Sequence, residues 1–74
     1  MLNFINELIS DLEAKPVNED NLLTDSEMDS FSYAFFWAHI SDEYPEFNDD
    51  YINKINYKTY TIKEMIKHHE NSKL

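Results

Sequence analysis

Residues 29–45 read DSFSYAFFWAHISDEYP, and the fold turns on how this stretch is arranged. Advancing each residue by about 100° resolves its apolar side chains into two stripes. Tyr33, Phe36, Trp37, Ile40 and Tyr44 make the wider one; Phe31, Ala34, Phe35 and Ala38 lie nearly opposite. A helix over Ser30–Tyr44 follows, started by Asp29 or Ser30, whose short oxygens accept the first free backbone N–H groups, and ended by Pro45. A small domain usually buries one stripe of a helix, so the wider stripe is assigned to the core. The Phe31/Ala34/Phe35/Ala38 stripe is then left facing outward, rising from the same turn as Ser30.

The flanking sequence completes a helical frame. Leu2, Ile5, Leu8, Ile9 and Leu12 recur at helical spacing among polar residues, which predicts an amphipathic helix over Leu2–Glu13, stopped by Pro16. Ala14–Asp29 is a long polar connection with Leu22, Leu23 and Met28 as apolar anchors. Beyond Pro45, Tyr51, Ile52 and Ile55 predict a short helical turn. Thr61-Ile62-Lys63-Glu64 is a capping box opening a last helix, with Ile62, Met65 and Ile66 inward and Lys67, His68 and His69 near its positive-charge-favouring end. The tail Asn71–Leu74 is expected to fray. With no glycine, tight hairpins and glycine-rich phosphate loops are disfavoured. The expected fold is all-α, one domain over residues 1–74, with three main helices and one short helix between the second and the last.

Composition narrows the function. Fifteen acids face six lysines and no arginine, a formal charge of −9. Phosphate binding needs Lys and Arg, so nucleic acid is not an expected partner. Residues 1–51 hold thirteen acids and only Lys15, whereas residues 52–74 hold five lysines and two glutamates. The acidic part surrounds the second helix and would steer a basic partner toward it. No cysteine is available for disulfides, thiolate metal sites or thiol chemistry. No apolar run reaches membrane-spanning length, so no membrane insertion is expected. The first residues lack a positive n-region, and the expected location is cytoplasmic.

Few side chains point to chemistry. In Asp29-Ser30-Phe31 a serine opens a helix after an exposed loop, where its hydroxyl is accessible to a modifying enzyme and a phosphate ester would be favoured. Taken as a bare tripeptide it is simply a helix cap. Asp25-Ser26 is a second such pair inside the loop and reads as a turn. His39, His68 and His69 read as solvated surface histidines, because adjacent helical residues point about 100° apart. Glu46, Asp49 and Asp50 lack the glycine and alternating ligands of a calcium loop, so no metal site is assigned. No base activates Ser30, and the chain reads as a substrate of enzymes rather than as an enzyme.

Over nearly its whole length the sequence resembles the acyl carrier proteins and their D-alanyl and peptidyl relatives. The features that carry this are the amphipathic first helix, the long loop ending in Asp29-Ser30-Phe31 and the apolar second helix. A short acidic stretch with a helical turn comes next, and Tyr60-Thr61-Ile62 opens the last helix. The family pattern is Asp-Ser-Leu, with Phe31 in place of the leucine. The resemblance implies that Ser30 carries 4′-phosphopantetheine, attached by a phosphopantetheinyl transferase, and that Asp29 presents the serine to that enzyme. It also implies that acyl or aminoacyl groups ride on the arm as thioesters between loading and transfer enzymes. The outer face of the second helix, Phe31, Ala34, Phe35, Ala38 and Asp42, would dock those partners. Such a protein is expected to be a monomer.

Two departures from the family pattern stand out. Relatives usually have glycine shortly before the Asp-Ser pair, where this chain has Ser26-Glu27-Met28. Phe35 occupies a position that is usually acidic, and Ser32 and Ser41 replace other common acids. These departures imply a more hydrophobic docking surface, suited to a carrier dedicated to one lipid, glycan or secondary-metabolite pathway rather than general fatty-acid synthesis. Tyr33, Phe36, Trp37 and Tyr44 would leave little internal room, so short, polar or externally held cargo is expected. The alternative reading is an acidic helical interaction module with no prosthetic group. It would use the Phe31/Phe35 face and the charge but not Ser30.

Overall fold

The computed structural model describes residues 1–73. Four α-helices form an all-α bundle: α1 (Leu2–Asp11), α2 (Ser30–Glu43), α3 (Asp49–Lys54) and α4 (Ile62–Asn71). Three are long and α3 is a short helix before the last, as the apolar spacing predicts. One 3₁₀ turn, Leu23–Ser26, lies in the connection between α1 and α2. Among the described residues no helix is long and apolar enough to cross a membrane.

The core forms where the helical stripes converge. Ile5 and Ile9 of α1, Phe36, Trp37 and Ile40 of α2, and Ile62 and Met65 of α4 are buried together. Tyr33 and Tyr44 close the wide stripe of α2 at half burial. Phe31 and Phe35, on the opposite side, remain exposed. The sequence undercounts the core, however. Val17, Phe47 and Tyr60 lie in connections with no helical period, yet all three are buried.

α1 ends at Asp11, two residues before the expected Glu13 and well before Pro16. The reason is a backbone motif. Glu13 takes a left-handed conformation (φ 59°). Its N–H then donates to Ser10 O at 3.0 Å, and that of Ala14 to Ile9 O at 2.9 Å. These two bonds are the Schellman closure that satisfies the last free carbonyls of a helix. Glycine usually fills this position, and a chain without glycine uses glutamate instead.

The 14–29 connection is more tightly held than three apolar anchors would make it. Leu23 and Met28 are buried and Leu22 is half-buried. Backbone bonds also run from Leu23 N to Tyr60 O and from Ile62 N to Asn21 O, each at 2.9 Å. They pin the loop to the start of α4. At its other end the Asn6 amide grips both sides of the Val17 peptide: Nδ2 donates to Val17 O and Oδ1 accepts from Val17 N, each at 2.9 Å. Asn6→Ala removes both bonds and leaves two partly buried backbone groups without partners. It is expected to cost about 2–3 kcal/mol, read as a drop in the urea midpoint at unchanged m-value.

Caps set the remaining helices. Asn48 Oδ1 accepts from Tyr51 N at 2.9 Å and opens α3. Thr61 Oγ1 accepts from Glu64 N at 3.1 Å and opens α4. The tail is helical further than expected: Asn71 is the last residue of α4, and the Ser72 hydroxyl donates to His69 O at 2.7 Å. Leu74 lies outside the described residues.

Candidate functional site

Ser30 is the first residue of α2 and is exposed. Asp29 is the residue that caps the helix: its Oδ1 accepts from Ser32 N at 2.8 Å. That backbone bond, helped by the Ser32 and Phe31 groups, holds the Asp29 carboxyl below the usual aspartate range. Asp29 therefore stays ionised beside Ser30 at neutral pH. With the cap made by Asp29, the Ser30 hydroxyl is released from local duty, and it makes no side-chain hydrogen bond among the described residues.

The second Asp-Ser pair differs. Asp25 Oδ2 accepts from Leu22 N at 2.8 Å, within the 3₁₀ turn. Ser26 is fully buried and its hydroxyl donates to Leu23 O at 2.8 Å. The pair is a turn, as its composition predicts. Directly after it, Glu27 is left-handed (φ 59°) and its carboxylate pairs with Lys15. A residue shortly before Asp29-Ser30 thus takes the backbone conformation that glycine adopts most readily, at a cost of about 1–2 kcal/mol for a side-chain-bearing residue.

Two depressions flank Ser30. On the outer face of α2, Phe31, Ala34, Phe35 and Ala38 line an open apolar groove of about 300 Å³. The rings of Phe31 and Phe35 sit 5.5 Å apart, and Phe31 is 74% exposed. Asp42 is exposed further along α2 and does not line this groove. A second groove, of about 310 Å³, is lined by Thr24, Ser30, Tyr33 and Tyr57. Thr24 and Tyr57 carry no signal in the sequence, because it takes the folded loop and the α3–α4 connection to bring them beside Ser30. The Tyr33 hydroxyl is buried with no hydrogen-bond partner among the described residues. Burial pushes its pKa up, partly offset by the nearby Ser26 hydroxyl.

The histidines of α4 correct the surface reading. His39 is exposed, but His68 and His69 are half-buried. His68 Nε2 donates to Glu46 O at 2.8 Å, and its ring stacks on Tyr51 at 3.7 Å between centroids. His69 Nδ1 meets Glu46 Oε2 at 2.5 Å, and its ring packs edge-on against Tyr44. Burial pushes the Glu46 carboxyl up, but the His69 bond, its own backbone and the Ser72 hydroxyl pull it net below the usual glutamate range. The two rings lock the 44–48 connection onto α4. Glu46 is thus spent on structure, while Asp49 and Asp50 sit in the first turn of α3, where negative charge suits the helix dipole. Among the described residues no group of three or more His, Cys, Asp or Glu side chains is placed to hold a metal ion.

No family model, characterised protein or solved structure matches this chain.

Proposed function

We propose that the protein is a carrier of the acyl-carrier type, with Ser30 as the attachment point of a 4′-phosphopantetheine arm. The observation that carries this reading is the contrast between its two Asp-Ser pairs. Ser26 is buried and its hydroxyl hydrogen-bonded, whereas Ser30, at the start of the longest helix, is exposed and its hydroxyl makes no hydrogen bond among the described residues. The residues around Ser30 fit such a group. A helix N-terminus favours a phosphodiester, and the Thr24/Tyr33/Tyr57 groove opens at the same serine to receive the pantetheine chain.

Attachment is balanced simply. The Ser30 oxygen forms a bond to the β-phosphorus of coenzyme A, the pyrophosphate bond breaks, adenosine 3′,5′-bisphosphate leaves, and the serine proton passes to a base of the transferase. The arm, once in place, supplies a thiol for thioester chemistry. Asp29 contributes an ionised carboxylate beside the reacting hydroxyl, through which the transferase and its magnesium are recognised. Phe31, Ala34, Phe35 and Ala38 offer the apolar contact for that enzyme and for acyl-loading and acyl-transfer enzymes, with Asp42 as a charged neighbour. Phe35→Asp places a charge in that contact. It is expected to lower kcat/KM of the transferase about tenfold or more with little change in thermal midpoint.

The test is the intact mass of the protein after incubation with coenzyme A, magnesium and a broad-specificity phosphopantetheinyl transferase. A gain of one phosphopantetheine is expected. An unchanged mass favours the second reading, an acidic interaction module that binds a basic partner through the exposed Phe31/Phe35 pair, to which the charge of −9 would steer that partner.

A further inference from the structure

We infer that the arm on Ser30 lies in the groove between α2 and the α3–α4 connection, and that its acyl cargo stays outside the core. The inference rests on the carrier reading of Ser30. The groove holds about 310 Å³ and Ser30 is one of its walls, so a tethered group reaches it without crossing the protein. That volume is at the lower edge of the roughly 300–1,000 Å³ of small-molecule sites.

The way inward is closed. The rings of Tyr33 and Tyr57 meet at an angle of 61°, with centroids 5.9 Å apart. Tyr33 packs on a core in which Leu23 and Phe36 have no exposed surface and Tyr60 has 2%. Deeper, Trp37 lies against Phe36 at 5.3 Å and against Tyr60 at 6.3 Å. A long chain would enter only by parting Tyr33 from Tyr57 and then separating packed aromatic rings. Interiors at native density lose contacts steeply when opened. The pantetheine chain, by contrast, finds Thr24, Tyr33 and Tyr57 beside Ser30 with no rearrangement.

The experiment loads acetyl-, butyryl-, hexanoyl-, octanoyl- and decanoyl-phosphopantetheine onto Ser30 from the matching coenzyme A thioesters. Intact mass confirms each product, and its thermal midpoint is then measured. A chain that entered the core would raise the midpoint by roughly 3–6 °C per buried methylene. A midpoint flat to within about 2 °C beyond butyryl is expected. In Tyr33→Leu/Tyr57→Ala protein, loaded in the same way, the midpoint is expected to climb with chain length, because the closing pair is gone. A midpoint that rises steadily in the parent overturns the inference while leaving the carrier reading intact. A double variant as flat as the parent overturns the role of the two tyrosines. Failure of every thioester to load, seen as unchanged mass throughout the series, overturns the carrier reading and this inference with it.

Discussion

Ser30→Ala protein is expected to leave the transferase incubation at its starting mass, whereas Ser26→Ala protein gains one arm as the parent does. The two serines each follow an aspartate, so local sequence alone gives them equal standing. Their surroundings separate them. Ser26 has no exposed surface, and its hydroxyl is engaged with Leu23 O at 2.8 Å. Reaching its oxygen would require the 3₁₀ turn to open and the Leu23 anchor to leave the core. Ser30 is exposed, and the capping that a helix-opening serine could perform is done by Asp29 instead. Ser30→Ala therefore removes a group with no structural duty, and its effect on stability is expected to stay within about 0.5 kcal/mol. Ser26→Ala loses a buried hydrogen bond and is expected to cost about 1 kcal/mol while keeping the fold. The less stable variant would thus be the competent one. This inverted order matters, because a loss of modification caused by unfolding would run the other way. Arm gain by Ser30→Ala protein would move the attachment site elsewhere and remove the main support of the carrier reading.

Periodicity makes the helices legible and their faces with them. The two stripes of α2 are separable because 3.6-residue spacing sorts Phe36 from Phe35 although they are neighbours, and one is buried while the other is exposed. The caps are readable for the same local reason: Asp29 and Thr61 each accept a backbone N–H from three residues on. The connections are not legible. Asn6 looks like any polar residue on the outer side of α1, and only the returning chain shows that its amide holds Val17. Glu13 ends its helix by backbone geometry that a glycine would have announced and a glutamate does not. His68 and His69 look like surface residues in sequence because their neighbours, Glu46, Tyr51 and Tyr44, are contributed by segments some twenty residues away in the chain. The site divides in the same manner. Ser30, Asp29 and the Phe31/Phe35 face are local to α2, but Thr24 and Tyr57 reach the groove from two other connections.

Phe47→Ala is expected to be the most destabilising single substitution outside the helices, at about 3–5 kcal/mol. Phe47 belongs to no helix, and in sequence it only interrupts an acidic run after Pro45. In the fold it is fully buried. Its ring lies 6.2 Å from Trp37, 5.6 Å from Tyr51 and 4.9 Å from His68, measured between centroids. It therefore joins α2, α3 and α4 at one point. Truncation would leave a cavity walled by rigid rings, which relax little, so the cost falls toward the upper part of the range seen for buried aromatics. A domain of this length has a total stability of about 4–11 kcal/mol. The variant is therefore expected to lose a large part of that stability, read as a lowered midpoint in urea titration of near-ultraviolet dichroism. Phe47→Leu keeps most of the volume and is expected to cost about 1–1.5 kcal/mol. Phe31→Ala, at an exposed phenylalanine, is expected to stay within about 0.5 kcal/mol. Equal effects of Phe47→Ala and Phe31→Ala would mean that the 44–48 connection does not enter the core. The consequence for function is one of division. The aromatic layer around Phe47 gives the bundle its rigidity, and neither Ser30 nor any residue lining its two grooves is among the ring partners of Phe47. Phe47→Leu is for that reason expected to lower stability without slowing modification at Ser30.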